Sequence, residues 1–523
     1  MAPPTTAVRS HGASLISTFL QELFTKTSAK KFLGLYVLWI LIKYRRTALG
    51  TRPRSDLKGP HGLPLIGNFW GAATLHREKF LQNQIDNFAK YGPVWAITVP
   101  FIGRVITFKD PEVIDHILRS NFWSYEKGPR FKEGLFPLVG EGIFSADGQH
   151  WKWQRKTASH IFSVKTFRTY TSDVFCREME LVIDYLNTIA DTGKQVDAQD
   201  IFYSFTLDSF GEIAFGKSFG CLDDPEKDVP FAKAFDRLNH GVAGRFNNPM
   251  WKVKDWWTGN DIQVKKDSKF LHDEALVMIE KRREENRLNP ESQTKRDLLQ
   301  LFLDVTDDDG NPLSDDMLID SILSFIVAGR DTTAQALSWT FYLMHRAGSD
   351  PEIAANLRKE ADEILQGGLP TYESTKKQRY AEACFYEALR LYPVVPKNIK
   401  TCIEDDVLPG GIRVYKGERI AWSNYAMGRE TSLWGPDAEV YRPERWLNSE
   451  KPSSSKFAAF HHGPRTCLGQ QFATIEAITL MSMLAQKFTF ELVDPSMAPD
   501  YAPSLTLPMK RGLPIRVYRR KDI

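Results

Sequence analysis

Cysteine is scarce in this chain. Five occur in 523 residues, Cys176, Cys221, Cys384, Cys402 and Cys467, odd in number and widely scattered. That distribution argues against a disulfide framework and fits a reducing compartment, with a metal or catalytic role open for one of them. An excess of either charge is also missing: 68 Lys and Arg against 65 Asp and Glu leave a formal +3. So small a surplus gives no ground for a nucleic-acid partner, and no zinc-finger or RNA-binding signature accompanies it. The chain has no internal repeat, no long low-complexity tract and no flavin- or nucleotide-binding signature. Long hydrophobic runs are lacking too. The apolar run from Phe32 to Ile42, in KFLGLYVLWILIK, holds eleven residues, where a membrane-spanning helix needs about twenty.

What is present begins with that N-terminal segment. Ahead of the run, Leu15, Ile16, Phe19, Leu20, Leu23 and Phe24 recur at helical spacing, the pattern of an amphipathic helix lying in an interface. Basic residues are denser behind the run (Lys43, Arg45, Arg46, Arg52, Arg54, Lys58) than ahead of it (Lys26, Lys30, Lys31). That asymmetry leaves the remaining chain on the cytosolic side. No small-residue cleavage site follows cleanly, against a cleaved signal peptide. A mitochondrial presequence is the lesser alternative, because the first twenty-one residues lack acids but contain one arginine. Residues 1–50 are therefore expected to form an amphipathic segment and membrane anchor. The prolines and glycines of RPRSDLKGPHGLPLIGN make 51–68 a stiff connector. Residues 69–523 read as one large domain, mainly α with a smaller β portion.

Within it, VWAITV and RVITF, separated by PFIG, predict a hairpin between Val94 and Phe108. Asp307–Asp309 with Gly310 and Pro312 read as a loop. A long helix opens on Ser314 as N-cap, with Asp315 and Asp316 in its first turn, and runs to about Arg346, where Gly348 and Pro351 punctuate it. Its length and largely apolar surface suit a helix crossing the middle of a big domain. A second helix closes on CFYEALRLYP, stopped by Pro393, and the tail from Pro503 to Val517 predicts a hairpin.

Four short motifs carry chemistry. AGRDTT, Ala328 to Thr333, sits at the centre of the long helix. Gly329 costs about 1 kcal/mol relative to alanine there, and Thr332 and Thr333 can bond back to the preceding turn. Either the irregularity is tolerated on a polar stripe, or the helix opens locally for a small ligand beside Gly329 and the Thr332 hydroxyl. Glu387 and Arg390 of YEALR stand at i, i+3, and YRPERW adds Arg445. Singly these are surface ion pairs; together they would be a buried structural network. Trp151 and Arg155 of WKWQR stand at i, i+4 and can face one anionic group, unless Arg155 is simply solvated beside a core tryptophan. In FHHGPRTCLG, Cys467 lies between Gly463 and Gly469, with Arg465 two residues ahead and Phe460 seven ahead. The commonplace reading is an inert core thiol. A helical pattern follows at once, however, so the sulfur should lie near a helix N-terminus, which favours a thiolate.

In sequence and order these four motifs resemble the signature set of the cytochrome P450 haem-thiolate monooxygenases, from about Lys58 to the end of the chain. The anchor and proline-rich connector resemble their microsomal members. The resemblance implies a cytochrome P450 fold with a single large haem domain, in which the Cys467 thiolate is the proximal ligand of haem b iron. Gly463 would permit the turn that aims backbone N–H groups at the sulfur, Gly469 would let the helix approach the porphyrin closely, and Phe460 would shield the thiolate. Trp151, Arg155 and Arg465 would meet the haem propionates, with Lys400 as a further contact. Asp331 and Thr332 match the family's acid–alcohol pair, Thr332 holding a water and Asp331 relaying protons. Glu387, Arg390 and Arg445 match its structural triad. His461 and His462 are less usual here and read as spacers, not zinc ligands.

AGRDTTA and LRLYPVVPKN further resemble the fungal alkane and fatty-acid ω-hydroxylases and their plant long-chain relatives. The implied reaction inserts one oxygen atom from O2 into a terminal carbon of a fatty acid or alkyl chain, with a narrow apolar channel choosing that carbon. Ala328 stands where animal ω-hydroxylases often carry a glutamate esterified to haem, so the haem here should extract freely. Arg130, Lys132 and Arg245 could steer a substrate carboxylate, or be solvated surface charges. A terpenoid or aromatic secondary metabolite is the rival substrate. A haem-thiolate isomerase is disfavoured by Asp331 and Thr332, and a haem sensor by the basic helix around Lys152, Arg155 and Lys156, a docking face for an acidic electron donor. The implied partners are NADPH–cytochrome P450 reductase, which brings NADPH electrons from a separate chain, cytochrome b5, the endoplasmic reticulum membrane with the catalytic domain facing the cytosol, and a lipophilic small molecule.

Overall fold

The computed structural model describes residues 26–74, 79–161, 165–246, 248–289, 297–306, 310–447, 450–502 and 504–521. Its first element, helix α1 (Lys26–Lys43), contains the apolar run, and its Phe32, Leu33, Leu35, Tyr36, Trp39 and Ile42 are exposed. No described helix is long and apolar enough to cross a membrane. The amphipathic helix expected over Leu15–Phe24 and the loop expected at Asp307–Asp309 lie outside the described residues. The connector is docked on the domain. Asn68 N–H donates to Thr98 O (2.7 Å), Ala96 N–H to Lys58 O (2.9 Å) and Ala48 N–H to the Thr98 hydroxyl (3.0 Å). Backbone approaches backbone so closely that a Cβ on Gly59 would lie 2.0 Å from Ala96 O.

The strands are β1 (Val94–Val99), β2 (Gly103–Phe108), β3 (Tyr125–Glu126), β4 (Gln195–Asp197), β5 (Lys397–Cys402), β6 (Asp406–Val407), β7 (Arg413–Val414), β8 (Arg419–Ser423), β9 (Phe488–Leu492) and β10 (Pro514–Arg519). β1 and β2 form the expected hairpin, Val94 opposite Phe108. They head a five-stranded sheet of order β1-β2-β8-β5-β3, in which β2 and β8 run parallel. The tail corrects the sequence reading. Its strand β10 pairs with β9 and β4, and among the described residues a single isolated antiparallel bridge, from Tyr501 to Met509, reaches into the tail. Ile515 and Val517 alternate inward along β10, and β9 offers a full antiparallel ladder that a turn around Pro508 and Gly512 does not.

The helices that build the site are α2 (Gly148–Ile161), α3 (Lys165–Ile189), α4 (Ala198–Phe215), α5 (Pro230–Ala243), α6 (Asn260–Leu288), α7 (Asp315–Ile326), α8 (Thr332–His345), α9 (Arg379–Leu391) and α10 (Gln470–Lys487). The described chain is mainly helical with a smaller strand portion, as expected. α7 and α8 are the two halves of the long helix, joined through a π turn at Val327–Asp331. The Ser314 hydroxyl accepts from Met317 N–H as its N-cap. Between Ser321 and Met344 every residue is buried except Ala328 and Thr332. α10, which follows Cys467, packs against α3, α8 and α9.

α9 carries the buried charges that tie the following loops to the helical core. Arg390 donates to both Glu387 oxygens (2.7 and 2.8 Å), and both side chains are fully buried. Glu387 also accepts from Arg445 Nε (3.3 Å), Trp446 Nε1 (2.9 Å) and Arg442 N–H (3.1 Å). Arg390 donates onward to the carbonyls of Gly428, Ala438 and Val440. Removing one partner of such a pair strands a buried charge. Glu387→Ala is expected to lower stability by about 3–5 kcal/mol in denaturant unfolding; a loss within error would show that the network does not hold the loops.

Candidate active site

Cys467 lies in a loop shaped by backbone strain. Gly463 has φ +67°, and a Cβ there would fall 1.9 Å from Leu118 O, so only glycine lets the loop turn against that neighbour. The Phe460 carbonyl accepts from Cys467 N–H (2.8 Å), and the Phe460 ring packs on Tyr386 and Phe457. The other four cysteines are buried; Cys467 is exposed. It is nonetheless surrounded by enough protein to be desolvated. Burial raises its thiol pKa above the ordinary value, while the Gly469 N–H and the Arg155 charge lower it. The net direction is upward, contrary to the expectation from the helix N-terminus alone, because desolvation of a thiolate outweighs one N–H and one cation. A Cβ on Gly469 would meet no protein atom nearer than Cys467 Sγ at 3.9 Å. The protein itself does not demand glycine there, and the space beside it suits a flat group.

On one flank of this loop the charges do not balance. Lys400 is 1% exposed, and its ammonium has no hydrogen-bond partner; burial, then Arg465 and Lys127, push its pKa far down. Burial holds Lys127 at about 8, with Arg465 acting in the same direction. Arg465 donates to Ala146 O (2.8 Å) and Asp147 (2.9 Å), lies over the Trp151 ring, and keeps a buried Nε without a partner; burial lowers its pKa to about 10. Arg155, one helical turn beyond Trp151, has no hydrogen bond or ion pair among the described residues, and its pKa is lowered by burial. Among the described residues, the acids that act on this group are Asp147 and Glu126. Four basic side chains thus crowd two carboxylates, one of them also paired with Lys132, in a poorly solvated place. A dianionic group would correct that excess.

The π turn carries the second set of candidate residues. Thr332 donates to Ala328 O (2.6 Å), leaving its oxygen lone pairs free to accept. Asp331 is 1% exposed and accepts from Asn239 Nδ2 (2.5 Å) and Arg330 Nη1 (2.9 Å). Burial raises its pKa to about 6, against the opposing pull of Arg330.

A family description for cytochrome P450 matches residues 57–514. The chain is a cytochrome P450. It is 37% identical to cytochrome P450 monooxygenase cyp1 of Mycosarcoma maydis over 94% of its own length and 79% of that protein. With cytochrome P450 86B1 of Arabidopsis thaliana the identity is 35% over 79% and 76%. With cytochrome P450 94B3 of the same plant it is 32% over 89% and 92%. The chain is accordingly an oxidoreductase of the monooxygenase kind, and membership implies a cysteine-ligated haem, dioxygen and a reductase as electron source. The residues fit that group. An accessible sulfur, an open glycine face and an uncompensated cation cluster with orphaned Nζ and Nε atoms are what a haem with two propionates would complete.

Several expectations need correcting in this cytochrome P450. Gly329 does not border open space: a Cβ there would strike the Phe210 ring at 2.3 Å, so the glycine serves close packing of α4 on the long helix. Asp331 and Thr332 are adjacent in sequence, yet Asp331 is held against α5 while Thr332 remains open. His462 is no mere spacer; its ring bridges Asp115 (2.9 Å) and the Ser454 hydroxyl (2.7 Å), tying the cysteine loop to a neighbouring helix. Among the described residues no cluster of three or more His, Cys, Asp or Glu could hold a metal ion. Arg245 is neither a solvated charge nor free for substrate, since it pairs with Asp255 (2.9 Å) in the interior and stacks on Trp251. Arg130 donates to Asn248 O (2.7 Å), and Lys132 pairs with Asp147 (3.4 Å).

Lys127, Asp147 and Asn239 escaped the sequence reading. Lys127 reaches Lys400 because β3 pairs with β5 in a register that sets Glu126 opposite Thr401, a long-range pairing with no local signal. Cys467→Ala is expected to abolish the thiolate-type spectrum of the reduced carbon monoxide complex. Its survival would remove Cys467 as the ligand.

Proposed function

We propose that this cytochrome P450 hydroxylates the terminal carbon of a fatty acid or alkyl chain, using NADPH electrons delivered by NADPH–cytochrome P450 reductase with cytochrome b5 as an accessory donor. The observation that carries this reading is the single opening in the long helix. Across its buried length only Ala328 and Thr332 are open, so this wall offers a substrate two methyl groups and one hydroxyl. An apolar wall of that kind suits a hydrocarbon segment. The choice of a terminal carbon rests on the resemblance carried by AGRDTTA and LRLYPVVPKN.

In this reading Cys467 is the thiolate ligand, steadied by the Gly469 N–H and the Arg155 charge. Lys127, Arg155, Lys400 and Arg465 hold the propionates, with Trp151 beneath Arg465. A thiolate-bound haem supplies oxygen activation. Thr332 accepts a hydrogen bond from a water in the chamber, and Asp331 passes a proton inward. Lys152 and Lys156, exposed on α2, form the docking face for an acidic donor. α1 lies in the endoplasmic reticulum membrane by its exposed apolar face, with the basic residues after it holding the catalytic domain on the cytosolic side.

Two measurements test the proposal. The purified holoprotein, a microsomal reductase and NADPH are combined with fatty acids of several lengths, and the new hydroxyl is located by mass spectrometry. A terminal hydroxyl is expected; its absence from a protein with a normal reduced carbon monoxide spectrum would move the substrate to a terpenoid or another lipophile. Removal of residues 1–43, which spares the Ala48–Thr98 contact, is expected to weaken membrane association while haem incorporation stays intact. Unchanged association would defeat the anchor.

A further inference from the structure

Asp331 is held by a helix that the reading above leaves without a role. Both of its oxygens are engaged, one by Asn239 of α5 and one by Arg330. Arg330 is itself 3% exposed, deep for an arginine in mid-helix, and its second carboxylate partner is Asp236 of α5 at 2.6 Å. The Asp236 side chain is 50% exposed, so this chain of contacts runs from solvent to the acid. The Arg330 guanidinium is clamped over the Tyr203 ring of α4 (4.4 Å) and beside Phe235 (5.5 Å). The Ser504 hydroxyl donates to Asn239 Oδ1 (3.4 Å), which fixes the amide so that its NH2 faces Asp331. Asp236 and Asn239 stand at i, i+3 on one face of α5, and a shift of that helix would loosen Arg330 and Asp331 together.

We infer that Asp236 and Asn239 are positioning residues for the proton-relay acid, setting from α5 how readily Asp331 takes up and releases a proton. The inference rests on the assignment of Asp331 to the relay. Their effects have opposite signs. Asp236 is a negative charge near Asp331 and shares Arg330 with it, so it favours the protonated acid. Asn239 donates to the ionised carboxylate and favours the charged form. The other groups facing this cluster are Tyr203 and Asp200 from α4, Cys221 from the loop after it, and Lys233 and Arg237 beside Asp236 on α5. All of these stay unchanged in the variants below.

The test is a pH titration of the holoenzyme by infrared spectroscopy, following the carboxylic C=O band that disappears in Asp331→Asn, together with product formed per NADPH consumed across the same pH range. Asp236→Asn is expected to move the midpoint down and Asn239→Leu to move it up, each on the order of one pH unit, with the pH dependence of coupling moving the same way. Asp236→Glu should restore the original midpoint. If Asn239→Leu loses haem, Ser504→Ala, which only frees the amide, should give a smaller upward shift. Unmoved midpoints, or shifts of one sign, while Asp331→Asn still uncouples, would overturn the inference and leave the relay intact. Normal coupling in Asp331→Asn would overturn the relay, and this inference with it.

Discussion

The π turn at Val327–Asp331 is tied to a second helix where the Thr206 hydroxyl of α4, which also bonds back to Phe202 O (2.9 Å), reaches the Arg330 carbonyl at 3.0 Å. Across the same turn the Thr332 hydroxyl donates to Ala328 O, the kind of side-chain support such irregular turns attract. The turn then decides much else. It opens Ala328 and Thr332 in an otherwise sealed helix, and it directs Arg330 and Asp331 toward α5. Phe210 seats on Gly329 so tightly that the turn could not be rebuilt around a larger residue.

A second constraint runs through the loop that carries Cys467. It is tethered on one side by His462 to Asp115 and Ser454, and by the close approach of Gly463 to Leu118. On its other side it contributes Arg465 to a set of cations whose charge the protein does not balance. Burial without a partner penalises the charged form of Lys400, and a ligand that supplies the missing negative charge would restore it. Binding and folding are therefore expected to be coupled: a ligand that neutralises the cluster also stabilises the domain. The Glu387–Arg390 network shows the other solution, a buried charge pair whose every arm finds a protein partner.

The elements that follow local rules were legible from the residues. Two β-prone runs separated by PFIG gave away the Val94–Phe108 hairpin. Ser314 with two aspartates marked where the long helix begins, and AGRDTT marked its irregular centre. Where the tail pairs was not legible, because β10 finds its ladder in β9 and β4, distant in sequence, rather than in its own turn. The roles of Gly329 and Arg245 were misjudged for the same reason. A glycine in a helix or an arginine in a polar stretch is locally indifferent, and only the Phe210 ring and the Asp255 carboxylate gave each its place.

By itself the sequence determined the family, through four motifs in fixed order, and with it the mainly helical class; the same motifs singled out Cys467 as the proposed ligand and brought forward Glu387, Arg390 and Arg445, which the structure joins in one network. These are carried by residue type at short spacing, which a chain displays without folding. The tertiary structure alone decided that Lys127 and Lys400 share one uncompensated cluster, that Asp331 faces α5 while Thr332 stays open, and that Asp236 reaches from solvent to Arg330. Charges and hydrogen bonds act over a few ångströms, and residues 127 and 400, or 236 and 330, come within that range only when strand register and helix packing bring them there.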